Sequence, residues 1–348
     1  MKNLGKILVV GMLILLVSLT ITGCSKKYET TIKVYNWGDY IDEEVIAQFE
    51  EQYNIGVIYD IFATNEDMYV KLSSGGADYD VAFPSDYMIK RMIDEDMLLP
   101  IDLNNVPNYR HIEDRFKDLE FDPSNEYSVP YMWGTVGILY NKTMVDDPVE
   151  SWEILWDEKY AKQIFMLDSQ RDSIAVALKL LGYSLNTRNI QELEEAKELL
   201  IKQKPLVLAY VGDEVKDKMI GNEAALAVVW SGDAVYMMSE NPDLEYAIPK
   251  EGTNLWFDSM VIPKTSKNKE AAEKFINFML ETEIAFKNAD YIGYATPHKE
   301  ARAMLDEELT SDKTFYPDPE DLTNTEVFKD LADFLPEYDR IWTEVKAN

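Results

Sequence analysis

The sequence is poor in the side chains that usually bind metals or cross-link a chain. Its 348 residues include one cysteine, Cys24, and two histidines, His111 and His298. One cysteine excludes an intramolecular disulfide, and two histidines without a cysteine pair argue against a zinc site. Carboxylates for calcium are abundant, but there is no D-x-[DN]-x-[DN]-G loop. We therefore expect no metal and no cofactor.

Basic residues and the motifs of nucleotide chemistry are also scarce. The chain has 34 lysines and arginines against 64 aspartates and glutamates, a formal net charge of −30. Phosphate backbones are bound by basic stripes, so this balance excludes nucleic acid as an expected partner. No P-loop, GxGxxG or GxSxG motif is present, which removes the usual signals of nucleotide binding and serine hydrolysis. The lack of internal repeats argues against a repeat-built structural protein.

The first 24 residues have the order of a targeting segment. Two lysines precede an apolar run over residues 7–19, which is too short for a stable membrane-spanning helix. The run leads into Ile21-Thr22-Gly23-Cys24, which resembles the lipobox of bacterial lipoproteins, where the cysteine is lipidated and becomes the mature N-terminus. We expect a signal peptide over residues 1–24, cleaved before Cys24, and a polar tether over 25–30.

The protein would then be extracytoplasmic and held at the membrane by acyl chains, in the periplasmic space or on the outer face of the cytoplasmic membrane. An ordinary signal peptide with an incidental cysteine is the alternative.

Segments typical of strands and helices alternate along most of the chain. Thr31 to Trp37 is rich in β-formers, and Asp42 to Tyr53 is an amphipathic helix with an acidic first turn. This order continues to about residue 100 and resumes after about residue 150, which predicts largely parallel sheets covered by helices. Between the two sets lie two strand-like runs, 127–133 and 136–141, on either side of Gly134.

Two alternating sets joined by thin, glycine-marked passages predict an α/β protein of two lobes with a cleft between them. A single large sheet or two independent tandem domains would give a similar pattern. Toward the C-terminus the pattern predicts one amphipathic helix over 269–288 and a last helix from about 326 to 346.

The stretch Leu255 to Ser259 is the clearest candidate for ligand chemistry. If it is extended, Trp256 and Asp258 share one face and Phe257 lies on the other. An indole ring beside a carboxylate suits an organic ammonium, because the ring attracts the cation and the carboxylate accepts its N–H groups. A strand with a core tryptophan and a solvated aspartate would show the same pattern.

Similar aromatic and acidic pairings follow other predicted strands, where ligands of α/β sheets bind. The candidate residues are Trp37, Asp39, Tyr40, Ser85, Asp86, Tyr87, Asp168, Asp172, Trp230, Asp233 and Tyr294. Helix capping or core packing is the alternative role for Trp37, Asp39, Ser85, Asp86, Asp168 and Asp172. Carboxylates with no basic counterpart beyond Arg171 favour a ligand with more than one positive charge, since burying them unpaired would be costly. Glycoside hydrolases also combine carboxylates with aromatic platforms, although no pair here stands out as acid and nucleophile.

These candidates lie in stretches that resemble the polyamine-binding proteins of ABC importers, the spermidine/putrescine-binding lipoprotein type. The matching stretches run in order from about residue 32 to 346 and are YNWGDYI, NEDMYVKL, YDVAFPSDYM, FDPSNEYSVPYMWG, VVWSGDA, PKEG, LWFDSMVIP, KNKEAAEKFINFML, IGYATPHKEAR and DKTFYPD. The resemblance implies the type II periplasmic-binding-protein fold, with two discontinuous α/β lobes joined by two crossing segments around a ligand cleft. It places lobe one at 28–134 plus 256–302 and lobe two at 135–255 plus 303–348.

The resemblance also implies a function and roles for the candidate residues. We expect a monomer without catalysis that captures putrescine or spermidine and delivers it to the permease of an ABC importer; a sugar or other small ligand is the alternative. Ser85 would hydrogen-bond an amine, and Asp172 and Asp258 would take ammonium groups. The aromatic walls would be Trp37, Tyr40, Tyr87, Trp230, Trp256 and Tyr294.

The sequence departs from the spermidine-type pattern at several of these positions. The departures are at Gly38, Asp39, Ser169, Asp233 and Val327-Phe328. Asp39 and Asp233 are similar to the putrescine-type pattern, whereas Trp256 is similar to the spermidine type. The preference between the two amines therefore stays open.

Overall fold

The computed structural model describes residues 28–76, 78–318 and 322–348. The predicted signal peptide and lipidation site, residues 1–24, lie outside these ranges. The strands are β1 (Thr30–Trp37), β2 (Ile55–Phe62), β3 (Val81–Ala82), β4 (Leu98–Leu99), β5 (Ser128–Asn141), β6 (Ile164–Leu167), β7 (Val207–Val211), β8 (Leu226–Trp230), β9 (Leu244–Ala247) and β10 (Leu255–Pro263).

α-Helices alternate with most of these strands along the chain. They are α1 (Glu43–Tyr53), α2 (Asn65–Ser73), α3 (Asp86–Asp94), α4 (Gln170–Leu180), α5 (Ile190–Gln203), α6 (Val215–Ile220), α7 (Ser231–Glu240), α8 (Lys269–Met279), α9 (Thr282–Ile292), α10 (Lys299–Arg302), α11 (Glu307–Ser311) and α12 (Leu335–Ala347). In the part of the chain that the structure describes, none of them combines the length and apolar character needed to cross a membrane.

The strands pair in the order β2-β1-β3-β10-β5-β8-β6-β7, with β4 on β10 and β9 on β5. The outer pairs are parallel, namely β1 with β2 and β3, and β6 with β7 and β8. The central pair, β5 and β10, is antiparallel. The predicted α/β class is therefore confirmed, and two largely parallel half-sheets are joined through one antiparallel ribbon.

The strand β5 belongs to both half-sheets. Residues 128–135 pair with β10, whereas residues 136–140 pair with β8. The prediction of two separate runs broken at Gly134 is wrong, because β5 is continuous through that position. Gly134 is instead needed for close packing, since a Cβ there would lie 2.5 Å from Oγ of Ser231 and 2.6 Å from the ring of Trp256.

Three other predicted boundaries are corrected. The helix expected over 269–288 is two helices, because Glu281 is extended and starts α9 as its N-cap, so the two apolar faces can pack on different partners. The last helix begins at Leu335 rather than near Glu326, which bridges Asn254 in extended conformation. Part of the expected tether is folded, since the Tyr28 hydroxyl donates to Glu50 and β1 begins at Thr30.

The C-terminal helix α12 is fixed to the second half-sheet by burial. Tyr338, Ile341 and Val345 are fully buried in a cluster with apolar residues of α4 and α5. Each such side chain contributes roughly 1.5–3 kcal/mol on burial. The Tyr338 hydroxyl also donates to the carbonyl of Thr187 at 2.9 Å. The chain therefore returns to this half-sheet after β10 has passed through the first.

Candidate functional site

Trp256 and Asp258 lie on one face of β10, as the alternation predicts. Both are buried, whereas Phe257 is partly exposed and turns to Phe116 and Phe121 on the other side. The ring of Trp256 packs edge-on against Tyr294, with centroids 5.1 Å apart. Tyr294 in turn contacts Tyr40 at 5.5 Å. Tyr40 and Tyr294, from distant parts of the chain, therefore form one aromatic group with Trp256, which lies two residues before Asp258 on β10.

Asp258 is held by hydroxyl groups. The Tyr40 hydroxyl donates to its Oδ2 at 2.8 Å, and the backbone of Ser85 bridges to Asp258. Burial raises the pKa of Asp258 to about 7, although the hydroxyls of Ser85 and Tyr40 pull it down. A cation bound next to this carboxyl would stabilise its ionised form.

A cluster of charges lies beside Tyr294. We call Asp39, Asp213, Asp233 and Lys216 the end cluster. The Lys216 Nζ is 3.1 Å from Oδ2 of Asp39 and 3.9 Å from Oδ1 of Asp233. Burial raises the pKa of Asp233 to about 6, and Lys216 acts against that rise. The expectation that the site carboxylates have no basic counterpart beyond Arg171 is therefore wrong.

Asp172 approaches the site from the start of α4. Its Oδ2 accepts from the Ser169 hydroxyl at 2.7 Å, and its Oδ1 accepts from Nδ2 of Asn254 at 3.4 Å. Burial raises the pKa of Asp172, while these two hydrogen bonds and Arg171 lower it. The guanidinium of Arg171 lies 4.3 Å from the centre of the Phe328 ring. Phe328, where the sequence departs from the spermidine-type pattern, therefore packs against the guanidinium of Arg171.

Asp86 is fully buried and makes its contacts with backbone. Its Oδ1 accepts from the N–H of Tyr87 at 2.7 Å, and its Oδ2 accepts from the N–H of Phe257 at 2.9 Å. Burial raises its pKa to about 8, and the two N–H groups lower it. Both oxygens are thus occupied in joining the start of α3 to β10, which positions Ser85 next to Asp258.

Two of the remaining aromatic candidates, Trp37 and Tyr87, have polar ends that are already hydrogen-bonded. Nε1 of Trp37 donates to the carbonyl of Phe83 at 2.8 Å, and the Tyr87 hydroxyl donates to Glu66 at 2.9 Å. Trp230 ends β8 opposite Val136 and is partly buried. Trp37 and Tyr87 can therefore offer a ligand their rings rather than their polar atoms.

Asp168 does not lie with the other candidate site residues. Its carboxylate is half exposed and pairs with Lys346 of α12 at 2.6 Å. Asp168 and Asp172 follow the same strand, but only Asp172, in the first turn of α4, turns inward.

Three buried acceptors are open at the site. Among the described residues, Oδ2 of Asp233, Oδ1 of Asn254 and Oδ1 of Asp258 have no hydrogen-bond partner. We call them the three open acceptors. A buried acceptor without a donor costs roughly 1–3 kcal/mol, more when it is charged. A ligand with several N–H donors and positive charge would remove that cost.

Sequence reasoning did not identify Lys216 or Asn254 as site residues. Lys216 has one local signal, its i,i+3 spacing from Asp213, which does not reveal the contact with Asp39 far away in the chain. Asn254 directly precedes the β10 motif, and this position is the sequence signal that indicates it.

His111, His298 and Glu300 lie together, with side-chain ligand atoms within 4.8 Å of one another. Both nitrogens of His298 are engaged: Nδ1 accepts from the N–H of Ala301, and Nε2 is 3.1 Å from the carbonyl of Leu280. His298 thus caps α10, and its lone pair is already used for that cap.

The fold and the site together define a class of protein. Ligands of open α/β sheets bind beyond the carboxyl ends of the strands, and the aromatic rings and open acceptors collect there in this chain. A two-lobed binding protein of the periplasmic type has this organisation, and the solved structures that share the fold are of that class. The chain belongs to the bacterial extracellular solute-binding protein family, whose model matches residues 44–317.

Individual relatives cover almost the whole chain. The spermidine/putrescine-binding periplasmic protein of Salmonella typhimurium is 37% identical over 320 residues, which is 91% of this chain and 92% of the relative. A solved structure from Listeria monocytogenes is 48% identical, with a TM-score of 0.89 over 91% of this chain and 99% of its own. The spermidine/putrescine ABC transporter substrate-binding protein PotD from Streptococcus pneumoniae is 45% identical, with a TM-score of 0.79 and coverages of 92% and 99%.

Proposed function

We propose that this protein captures a polyamine, putrescine or spermidine, outside the cytoplasm and delivers it to an ABC importer. The observation that carries the proposal is the set of three open acceptors, two of them carboxylates, on segments that also carry or contact the rings of Trp256, Tyr40 and Tyr294. Ammonium groups would satisfy the acceptors, and the alkyl stem between them would pack on the rings. The names of the relatives agree with this ligand class.

The candidate residues have separate parts in this proposal. Asp258 and Asp233 take ammonium groups, Asp172 and Asn254 complete the polar side, and Ser85 positions Asp258. The aromatic walls are Trp37, Tyr40, Tyr87, Trp230, Trp256 and Tyr294. Asp86 supports the site through backbone contacts, and we assign no ligand contact to Asp168. None of these groups is given a catalytic role.

The pairing of β5 supports the proposed lobe boundaries. Its change of partner, from β10 to β8, falls between Thr135 and Val136. We therefore keep lobe one at 28–134 plus 256–302 and lobe two at 135–255 plus 303–348. The ligand would lie between them, and closure would present the loaded form, as a monomer, to the permease.

A lipid anchor at Cys24 completes the proposal. The lipobox-like sequence before Cys24 supports it, and the family is extracellular. Radiolabelled palmitate incorporation into the full chain, lost in Cys24→Ser, is the expected result. Equal incorporation into both chains would contradict the anchor without touching the ligand proposal.

A thermal-unfolding panel tests the ligand class. Putrescine, spermidine and spermine should raise the melting temperature, whereas neutral sugars and amino acids should not. Stabilisation by a sugar and by none of the amines would overturn the proposal in favour of a sugar-binding protein. Calorimetric titration of the stabilising amine then gives its affinity and stoichiometry.

A further inference from the structure

Lys216 places a protein ammonium group inside the candidate site. Lysines on short surface helices usually extend their ammonium groups into water. Lys216 belongs to the short helix α6, yet its side chain is only 16% exposed. Its Nζ lies 3.1 Å from Asp39 and 3.9 Å from Asp233, so it is directed at two of the acids that the sequence places at a ligand site.

The end cluster joins two distant parts of the chain. Asp39 follows β1, whereas Asp213, Lys216 and Asp233 follow β7 and β8. The two parts meet closely, since a Cβ at Gly38 would lie 3.1 Å from Oδ2 of Asp213. Burial of Lys216 lowers its pKa, but Asp233, Asp213 and Asp39 more than offset this effect and raise it. The lysine is therefore charged, and its charge is shared among these acids.

The two carboxylate oxygens of Asp233 have different surroundings. Its Oδ1 faces Lys216, and within the described ranges its Oδ2 has no hydrogen-bond partner although the residue is only 6% exposed. Gly232 packs its backbone against the ring of Tyr294, which contacts Trp256 and Tyr40. The Tyr294 hydroxyl also acts on Asp233, since it lowers the pKa of that carboxyl. Asp233 therefore lies between this aromatic group and Lys216.

We propose that Lys216 is a specificity-determining residue, whose ammonium occupies the end of the cleft as a ligand ammonium would and favours diamines over triamines. The inference rests on the proposed function and refines its substrate class. A diamine places its two ammonium groups at Asp258 and at Oδ2 of Asp233, the oxygen that does not face Lys216, and leaves Asp39 to Lys216. The third ammonium of a triamine would have to extend past Asp233 toward Asp39, where it would meet the like charge of Lys216 in a partly buried site with weak screening.

Matched variants separate charge from packing. Lys216→Met removes the charge and keeps most of the side-chain length, whereas Lys216→Arg keeps the charge. Lys218→Met removes a lysine from the same helix that pairs with Glu223 at the surface, and so controls for the loss of one positive charge. Calorimetric titrations with putrescine and with spermidine, on each full chain at one ionic strength, give the ratio of the two dissociation constants.

We expect Lys216→Met to change the ratio of the two dissociation constants about tenfold in favour of spermidine. Lys216→Arg and Lys218→Met should keep the wild-type ratio. An unchanged ratio in Lys216→Met, or equal weakening of both amines, would overturn the inference while the polyamine function stands. Wild-type protein that binds neither amine would instead contradict the proposed function, and this inference with it. Thermal unfolding of every variant confirms that the comparison is made on folded protein.

Discussion

The hydroxyl of Tyr40 donates a hydrogen bond to Oδ2 of Asp258 at 2.8 Å, across 218 residues of sequence. This bond fixes one oxygen of the carboxylate and leaves Oδ1 as one of the three open acceptors. A carboxylate oriented in advance loses little conformational freedom when a ligand binds. Asp258 is therefore the residue whose charge we expect to matter most for affinity.

Asp258→Asn should weaken polyamine binding strongly. The amide can still accept from Tyr40, but it cannot pair with an ammonium group, and losing one partner of a buried ion pair costs roughly 3–5 kcal/mol. Calorimetry near pH 8 measures the change. Asp168→Asn is the matched control, because Asp168 pairs with Lys346 at the surface and should leave affinity unchanged. Undiminished affinity in Asp258→Asn would remove Asp258 from the site.

Polyamine affinity should rise with pH between about 5.5 and 8. The pKa values of Asp233 and Asp258 are raised to about 6 and about 7, so both are largely protonated at the lower limit and ionised at the upper. An amine stays protonated throughout this range and gains an ion pair as each carboxyl ionises. Titrations in buffers of different ionisation enthalpy should show proton release near pH 6.5. A flat profile would show that neither carboxyl faces the ligand.

Without ligand, the same two carboxyls act on stability in the opposite direction. Their folded pKa values lie above the unfolded value of about 3.9, so they favour the native state most below that value. Their contribution is lost as pH rises through about 6 and 7. The stabilisation given by a saturating amine should therefore be larger at pH 8 than at pH 5.5, which melting temperatures with and without putrescine can measure.

Replacing the ring on β10 should separate stacking from charge pairing. Trp256→Ala removes a cation–π partner worth roughly 0.5–2 kcal/mol, and Trp256→Phe should retain part of it. We expect the polyamine affinity to fall in the order wild type, Trp256→Phe, Trp256→Ala. Trp342→Phe is the control, since Trp342 of α12 packs on Tyr210 of β7. Identical titrations for wild type and Trp256→Ala would contradict an aromatic wall at this position.

Asp86→Ala should lower stability before it lowers affinity. The change leaves the N–H groups of Tyr87 and Phe257 without their acceptor, at roughly 1–3 kcal/mol for each buried group. Urea unfolding measures this loss, with Asp94→Ala on the exposed side of the same helix as the control. A variant as stable as wild type would show that the link between α3 and β10 is dispensable.

The sequence predicted local relations well and long-range ones poorly. Period-2 alternation placed Trp256 and Asp258 on one face because a strand imposes it. No local pattern reports that Asp86 accepts from the backbone of Phe257, or that Lys216 reaches Asp39, since both contacts depend on how distant segments pack. Gly134 was misread for a related reason: a glycine marks a bend or a close approach equally well, and only the neighbouring side chains decide.

The paired strands β5 and β10 have a mechanical consequence. Two hydrogen-bonded strands resist stretching and shear, so relative motion of the two half-sheets must bend or twist this ribbon about a restricted set of axes. A register shift between Asp258 and Ser259 marks the point where the ribbon bends and twists locally. Trp256 and Asp258 stand on the same ribbon, beside that point. A ligand bound to both residues would therefore contact the β5–β10 ribbon directly. Its binding would change the curvature of the ribbon without acting through other parts of the molecule.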